Sequence, residues 1–146
     1  MKRILAVLVG PLLALVCASG HAQQDAATLT EQPEGDAQRG RLVFGPCRSC
    51  HFTDARAGHG NGPNLYRIFG KVAGKQAGFD YYSEPLRAAQ FVWTPRVLDA
   101  WLAAPMQVLP GTTMMSPGVP DAAQRADLIA YLQLVSVRET DDAGEP

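Results

Sequence analysis

Apolar residues along this chain form one nearly unbroken run at the start and then short stripes at helical spacing. Ile4 to Val16 is apolar apart from Gly10 and Pro11, with Lys2 and Arg3 before it and small and polar residues after it through Ala22. A basic start, an apolar stretch shorter than the ~20 residues of a transmembrane helix and a small-residue exit read as a secretory signal peptide over residues 1–22. Cleavage is expected after Gly20 or Ala22, with an uncleaved anchor as the alternative. Lipidation of Cys17 is disfavoured because the bulky Val16 precedes it.

Four helices follow from the remaining stripes. Asp36 caps a first helix whose Leu42, Val43 and Phe44 lead into Cys47-Arg48-Ser49-Cys50-His51. Ser83, with Glu84 and Pro85 in the first turn, opens a short helix through Ala89. Thr94 followed by Pro95 opens a third, with Val97, Leu98, Trp101 and Leu102 on one face until Pro105. Asp121 with Gln124 three residues on resembles a capping box, and Leu128, Ile129, Leu132 and Val135 form the stripe of the last helix. Gly- and Pro-rich loops separate these segments, at Gly58–Gly62, Gly70–Gly78 and Pro110–Pro120, and almost no strand alternation is visible. The expected fold is all-α, with long loops that need a large central ligand to wrap.

Composition sharpens the boundaries. Residues 23–35 are polar, carry Asp25, Glu31 and Glu34 with no basic residue, and read as a disordered acidic leader. One domain is expected over residues 36–138, with an acidic tail over 139–146. The 146 residues suit one small core, to which a bulky apolar cofactor would add much. Residues 37–138 hold 11 Lys and Arg against 6 Asp and Glu, so the folded part is basic while both tails are acidic. The basic residues are scattered, and no basic run or recognition motif points to nucleic acid.

With the signal removed, Cys47 and Cys50 are the only cysteines left. A C-x-x-C pair in an oxidising compartment can be a disulfide, a redox pair, half a zinc site or a haem attachment. His51 decides for haem: both thiols can form thioethers to vinyl groups, and the imidazole that follows can meet the iron. A thioredoxin-like pair would need a βαβ pattern, and a structural zinc site would need more ligands than His59 supplies. For the second axial position the candidates are Met106, Met114 and Met115, with Met114 in a Pro- and Gly-containing loop.

In order along the chain, Gly40, Phe44, Cys47-Arg48-Ser49-Cys50-His51, Gly62-Pro63-Asn64-Leu65, Gly70, Gly78-Phe79, Trp93, Trp101-Leu102, Pro105, Pro110-Gly111-Thr112-Thr113-Met114 and Arg125 to Leu132 resemble the class I cytochromes c of the mitochondrial and related bacterial type. The resemblance implies the class I cytochrome c fold around one covalent haem c, with His51 and Met114 as iron ligands. It implies that the Pro63 carbonyl accepts the other ring N–H of His51, that Trp93 donates to a haem propionate, and that Gly40 lets the first helix approach the last. Lys71 stands where the family usually has an arginine near a propionate, and keeps the charge without the bidentate fork. The chain is one residue longer than the family at Asp80-Tyr81-Tyr82, so either tyrosine could reach the propionate, with Tyr82 preferred by register. Trp101 replaces a common tyrosine beside the methionine, and Met115-Ser116 replaces the usual apolar and aromatic residues after it.

The function this implies is a periplasmic one-electron carrier, monomeric and not an enzyme. Its partners would be redox proteins: a quinol-oxidising complex, a terminal oxidase or a periplasmic dehydrogenase. Contact with membranes is expected only through those partners. The alternatives are a dedicated electron-transfer subunit of one dehydrogenase, or a haem sensor or peroxidase with an open distal site.

Overall fold

The computed structural model describes residues 34–142, with side chains through 137. The expected signal peptide, most of the leader and the end of the tail lie outside the described residues. Five α-helices are present among them: α1 (Ala37–Val43), α2 (Glu84–Ala88), α3 (Pro95–Ala103), α4 (Pro105–Val108) and α5 (Ala122–Asp142). Two 3₁₀ turns, Gly45–Ser49 and Ala55–Ala57, lie between α1 and α2. Among the described residues, the only β feature is an isolated antiparallel bridge between Val72 and Val92.

Each helix start has a local cause. The Asp36 carboxylate accepts from the backbone N–H of Gln38 and of Arg39, both at 2.8 Å, and so satisfies two of the donors that α1 leaves open. Thr94 accepts from Val97 N–H at 3.2 Å, with Pro95 pre-set for the first turn of α3. Asp121 accepts from Gln124 N–H at 2.8 Å at the head of α5. Pro105 does more than end α3, as the sequence suggested. A proline suits the first position of a helix as well as it stops one, and Pro105 begins α4. The last helix, α5, continues past Arg138 to Asp142.

The tightest packing lies between α1 and α5. Gly40 is buried, and a Cβ there would collide with the Asp127 carbonyl and press on Tyr131 Cβ at 2.9 Å. The missing side chain is therefore what lets the two backbones touch. One helical turn on, the Phe44 and Tyr131 rings meet with centroids 5.3 Å apart. Asp127 closes the joint, with its side chain only 8% exposed. It accepts from Asp36 N–H at 2.7 Å and from Arg39 Nε and Nη2, both at 2.8 Å. This two-pronged pairing holds the Asp127 carboxyl below the usual carboxylate range, with the Arg39 hydrogen bond as the main cause. The other side of α5 is tied down by Arg125, which reaches Asp99 of α3 at 2.7 Å and the carbonyls of Val119 and Pro120. Leu98, Trp101 and Leu102 of α3 and Leu128, Ile129 and Leu132 of α5 then form the apolar centre.

Candidate functional site

The centre of the fold is not filled by side chains alone. A cavity of about 430 Å³ opens among the loops, within the size range of cofactor pockets. Cys47, Cys50, His51, Pro63, Lys71, Tyr82, Trp93 and Met114, all singled out from sequence, line it together.

The wall formed by Cys47 to His51 is a tight turn. Cys50 N–H and His51 N–H both donate to the Cys47 carbonyl, at 3.1 and 2.9 Å, which stacks the two half-buried thiols and the imidazole within one turn. No disulfide joins the two sulfurs, and burial pushes the Cys47 thiol above its ordinary pKa. His51 Nδ1 lies 2.7 Å from the Pro63 carbonyl. A carbonyl can only accept, so Nδ1 carries the proton and Nε2 keeps its lone pair. Burial lowers the His51 pKa and the Pro63 contact opposes this in part, so the ring is held neutral, as a metal ligand must be. Gly62 sits against that ring, and a Cβ there would approach Nδ1 to 2.8 Å. The loop that carries Gly62 is pinned by Asn64, whose amide donates to the carbonyls of Asp54 and Gly58, both at 2.7 Å. His59 joins it to the next loop, accepting from Asn64 N–H at 3.0 Å and donating to the Ala77 carbonyl at 2.9 Å.

Met114 reaches the cavity from a loop held at several points. Gly111 turns at φ +84° and Gly118 at φ +87°, and Val119 N–H donates to the Leu102 carbonyl at 2.6 Å. Met114 N–H meets the buried Thr112 hydroxyl at 3.3 Å. Met114 is half-buried and packs on the core, whereas Met115 is 94% exposed and Met106 is exposed and does not line the cavity.

The polar groups form a connected chain. Lys71 Nζ donates to the Tyr66 carbonyl at 2.6 Å and to Gln76 Oε1 at 2.7 Å, which leaves one of its three donors. Its pKa is lowered by burial and then by repulsion from Arg67. Trp93 joins the same segment through its backbone N–H, which donates to the Lys71 carbonyl at 2.9 Å, and its ring stands edge-on to Trp101 at 5.6 Å. The two tyrosines separate clearly. Tyr82 is half-buried with its phenol pKa raised by burial, while Tyr81 is 82% exposed against the edge of Phe79.

Sequence reasoning missed Ser83. It opens α2, as expected, yet its side chain makes no capping bond, and its buried hydroxyl has no hydrogen-bond partner. Ser83 lines the cavity beside Tyr82. A buried hydroxyl left unpaired by the protein is a donor set aside for something else. Nothing in the sequence separates a serine that caps from one that does not.

This donor set fits a haem. The apolar walls suit a porphyrin, the thiols suit thioether links, the His51 Nε2 lone pair and a thioether suit iron, and Ser83, Tyr82 and Lys71 suit carboxylates.

No family model matches the chain. Relatives do: it is 38% identical to a cytochrome c of Ginkgo biloba over 114 residues, covering 77% of this chain and all of the relative. It is 39% identical to a cytochrome c2 of Rhodopila globiformis over 102 residues, covering 69% of this chain and 94% of that one. Among solved structures, the cytochrome cH from Methylobacterium extorquens superposes with a TM-score of 0.64 at 37% identity, over 68% of this chain and 99% of that one.

Proposed function

The chain belongs to the class I cytochromes c, and from that membership we propose that it is a periplasmic shuttle carrying one electron at a time between a membrane or periplasmic donor and an acceptor such as a terminal oxidase. Members of the family are electron carriers with one covalently attached haem c. When bound, that haem supplies a one-electron iron couple. The observation that carries the proposal is the meeting of two thiols, an oriented neutral imidazole and one half-buried methionine in a single apolar cavity.

Each residue has a task in this reading. Cys47 and Cys50 anchor the cofactor. Pro63 fixes the His51 tautomer, so Nε2 is always presented and the ring stays basic. Met114, held by the Gly111–Gly118 loop, would offer its thioether as the second ligand to the haem iron and so keep external ligands out. Tyr82 is the propionate partner in preference to Tyr81, joined by Ser83, Trp93 and Lys71. With His51 and Met114 both offered to the iron, the bound haem would have no open site for a substrate, which suits a carrier rather than an enzyme. Export by residues 1–22 places it in the periplasm, with the mature chain beginning near Gln23.

Expression with the native leader tests this. The coloured protein should leave the cell with the periplasmic fraction, carry a chain starting near Gln23, keep its colour through acid-acetone extraction and accept one electron per chain in a redox titration. Pigment that extracts from the polypeptide would end the reading. A coloured protein that keeps Met1 and stays in membranes would replace the shuttle with an anchored carrier.

A further inference from the structure

Among the described residues that line the cavity, Lys71 is the one Lys or Arg, and there is no Asp or Glu. Its ammonium is therefore a cation without a counter-charge in the cavity wall, and Arg67 is near enough to repel it. Both of its partners are neutral oxygens, the Tyr66 carbonyl at 2.6 Å and Gln76 Oε1 at 2.7 Å. A lysine ends in one rotatable ammonium on a four-carbon stem and has no rigid fork to set its own direction. Two fixed acceptors supply that direction from outside and restrict where the third N–H can point.

Of those two acceptors only Gln76 is a side chain, and it is firmly anchored. Its carbonyl accepts from Phe79 N–H at 3.3 Å, and its backbone meets the Tyr82 phenol. Just before it, Gly74 turns at φ +68° onto the Leu86 carbonyl, where a Cβ would collide, and the Lys75 ammonium donates to the Arg87 carbonyl. Gln76 is thus a post fixed against α2, and Lys71 is the arm tied to it. The neutrality of the post matters. Glutamate in its place would pair with Lys71 and cancel its charge, whereas the amide oxygen orients the ammonium and leaves its charge for an anion that enters the cavity.

Resting on the carrier reading, we propose that Gln76 is a positioning residue: it aims the Lys71 ammonium at a haem carboxylate and, through Lys71, raises the reduction potential. A cation held beside the cofactor is repelled more by the oxidised form, which carries one more positive charge, so it favours the reduced form. Released into water, the same ammonium is screened and the preference fades.

A double-mutant cycle on the haem-bearing protein, read as reduction potential, tests this. Gln76→Met keeps the bulk but removes the acceptor. It should move the redox equilibrium about threefold toward the oxidised form, or half of the ~59 mV that a tenfold change represents for one electron. Lys71→Met should move it about tenfold in the same direction. In the Lys71→Met background, Gln76→Met should add less than about 1.5-fold, because no ammonium is left to aim. Gln76→Glu, which keeps an acceptor but pairs the charge, should lower the potential at least as far as Gln76→Met. Labelling gives a readout independent of the potential. Lys71 and Lys75 are the only lysines besides Lys2, and trace acetic anhydride should acetylate Lys71 faster, relative to Lys75, in Gln76→Met than in the wild-type protein. An unchanged potential or unchanged Lys71 labelling in Gln76→Met, or a potential lowered equally with and without Lys71, would overturn the positioning role and leave the carrier reading standing, even if Gln76→Met melts earlier. A wild-type protein with no one-electron haem couple would instead remove the carrier reading itself.

Discussion

The joint between α1 and α5 and the wall of the cavity are built on opposite terms. At the joint every group finds its partner within the chain: Gly40 on the Asp127 carbonyl, Phe44 on Tyr131, and the Asp127 carboxylate on Asp36 N–H and the Arg39 guanidinium. Around the cavity the chain holds its groups in position but leaves them incomplete. Ser83 has a buried hydroxyl with no partner, Lys71 keeps a spare donor, and His51 has one nitrogen committed and one free. One region is completed by the chain alone, whereas the groups of the other are set to be completed by a cofactor. The haem should therefore matter far more to the order of the cavity loops than to the α1–α5 joint.

The largest test of that contrast is removal of the attachment. Cys47→Ala with Cys50→Ala should give a colourless chain whose amides in the 58–64, 70–78 and 110–120 loops exchange with solvent quickly, while α5 amides keep the slower exchange. Equal loss of protection in both regions would show that the joint is no more self-sufficient than the cavity. Next in size is Gly40→Val with the haem in place. Its side chain would run into the Asp127 backbone, which cannot yield as a flexible side chain can, and unfolding should become easier by about 3 kcal/mol. A change below about 1 kcal/mol would mean that the joint is looser than its geometry shows.

The pattern of apolar positions disclosed much of this arrangement and concealed the rest for physical reasons. Caps at Asp36, Thr94 and Asp121 were legible because a capping side chain acts on residues two or three positions away. The grouping of Cys47, Cys50 and His51 on one wall of the cavity was legible because the three lie within a single turn. The Asp127 joint was not: its partners lie 88 and 91 positions away, and an aspartate on a helix usually faces water. The Val72–Val92 bridge is a single pair, too short to produce alternation. Resemblance placed Met114 at the cavity, but that Met115 beside it would be almost fully exposed depends on how the Gly111–Gly118 loop turns.

Acid separates the two regions in a smaller way. The Asp127 carboxyl titrates below its unfolded value, so its contribution to stability is complete above the unfolded pKa of ~3.9 and is lost as pH falls through the lower folded value. Asp127→Asn should lower stability near neutral pH and flatten the fall in acid, as followed by helix content. An unchanged acid transition would show that the Arg39 pairing adds nothing to folding. Smallest of all is Ser83→Ala. If the hydroxyl meets a haem carboxylate, the haem-bearing protein should lose about 1 kcal/mol and the haem-free double cysteine variant should lose nothing. Loss in both forms would make Ser83 a structural residue.

The central proposal is that His51 and Met114 would both ligate the haem iron, leaving no open site and making the protein a carrier. Carbon monoxide addition to the reduced protein at neutral pH tests it most directly. The wild-type visible spectrum should not change, whereas Met114→Ala should bind carbon monoxide and lower the reduction potential, and Met106→Ala should do neither. Ready binding of carbon monoxide by the wild-type protein would contradict the claim and favour a sensor or peroxidase. A Met114→Ala protein with unchanged spectrum and potential would contradict the assignment of Met114.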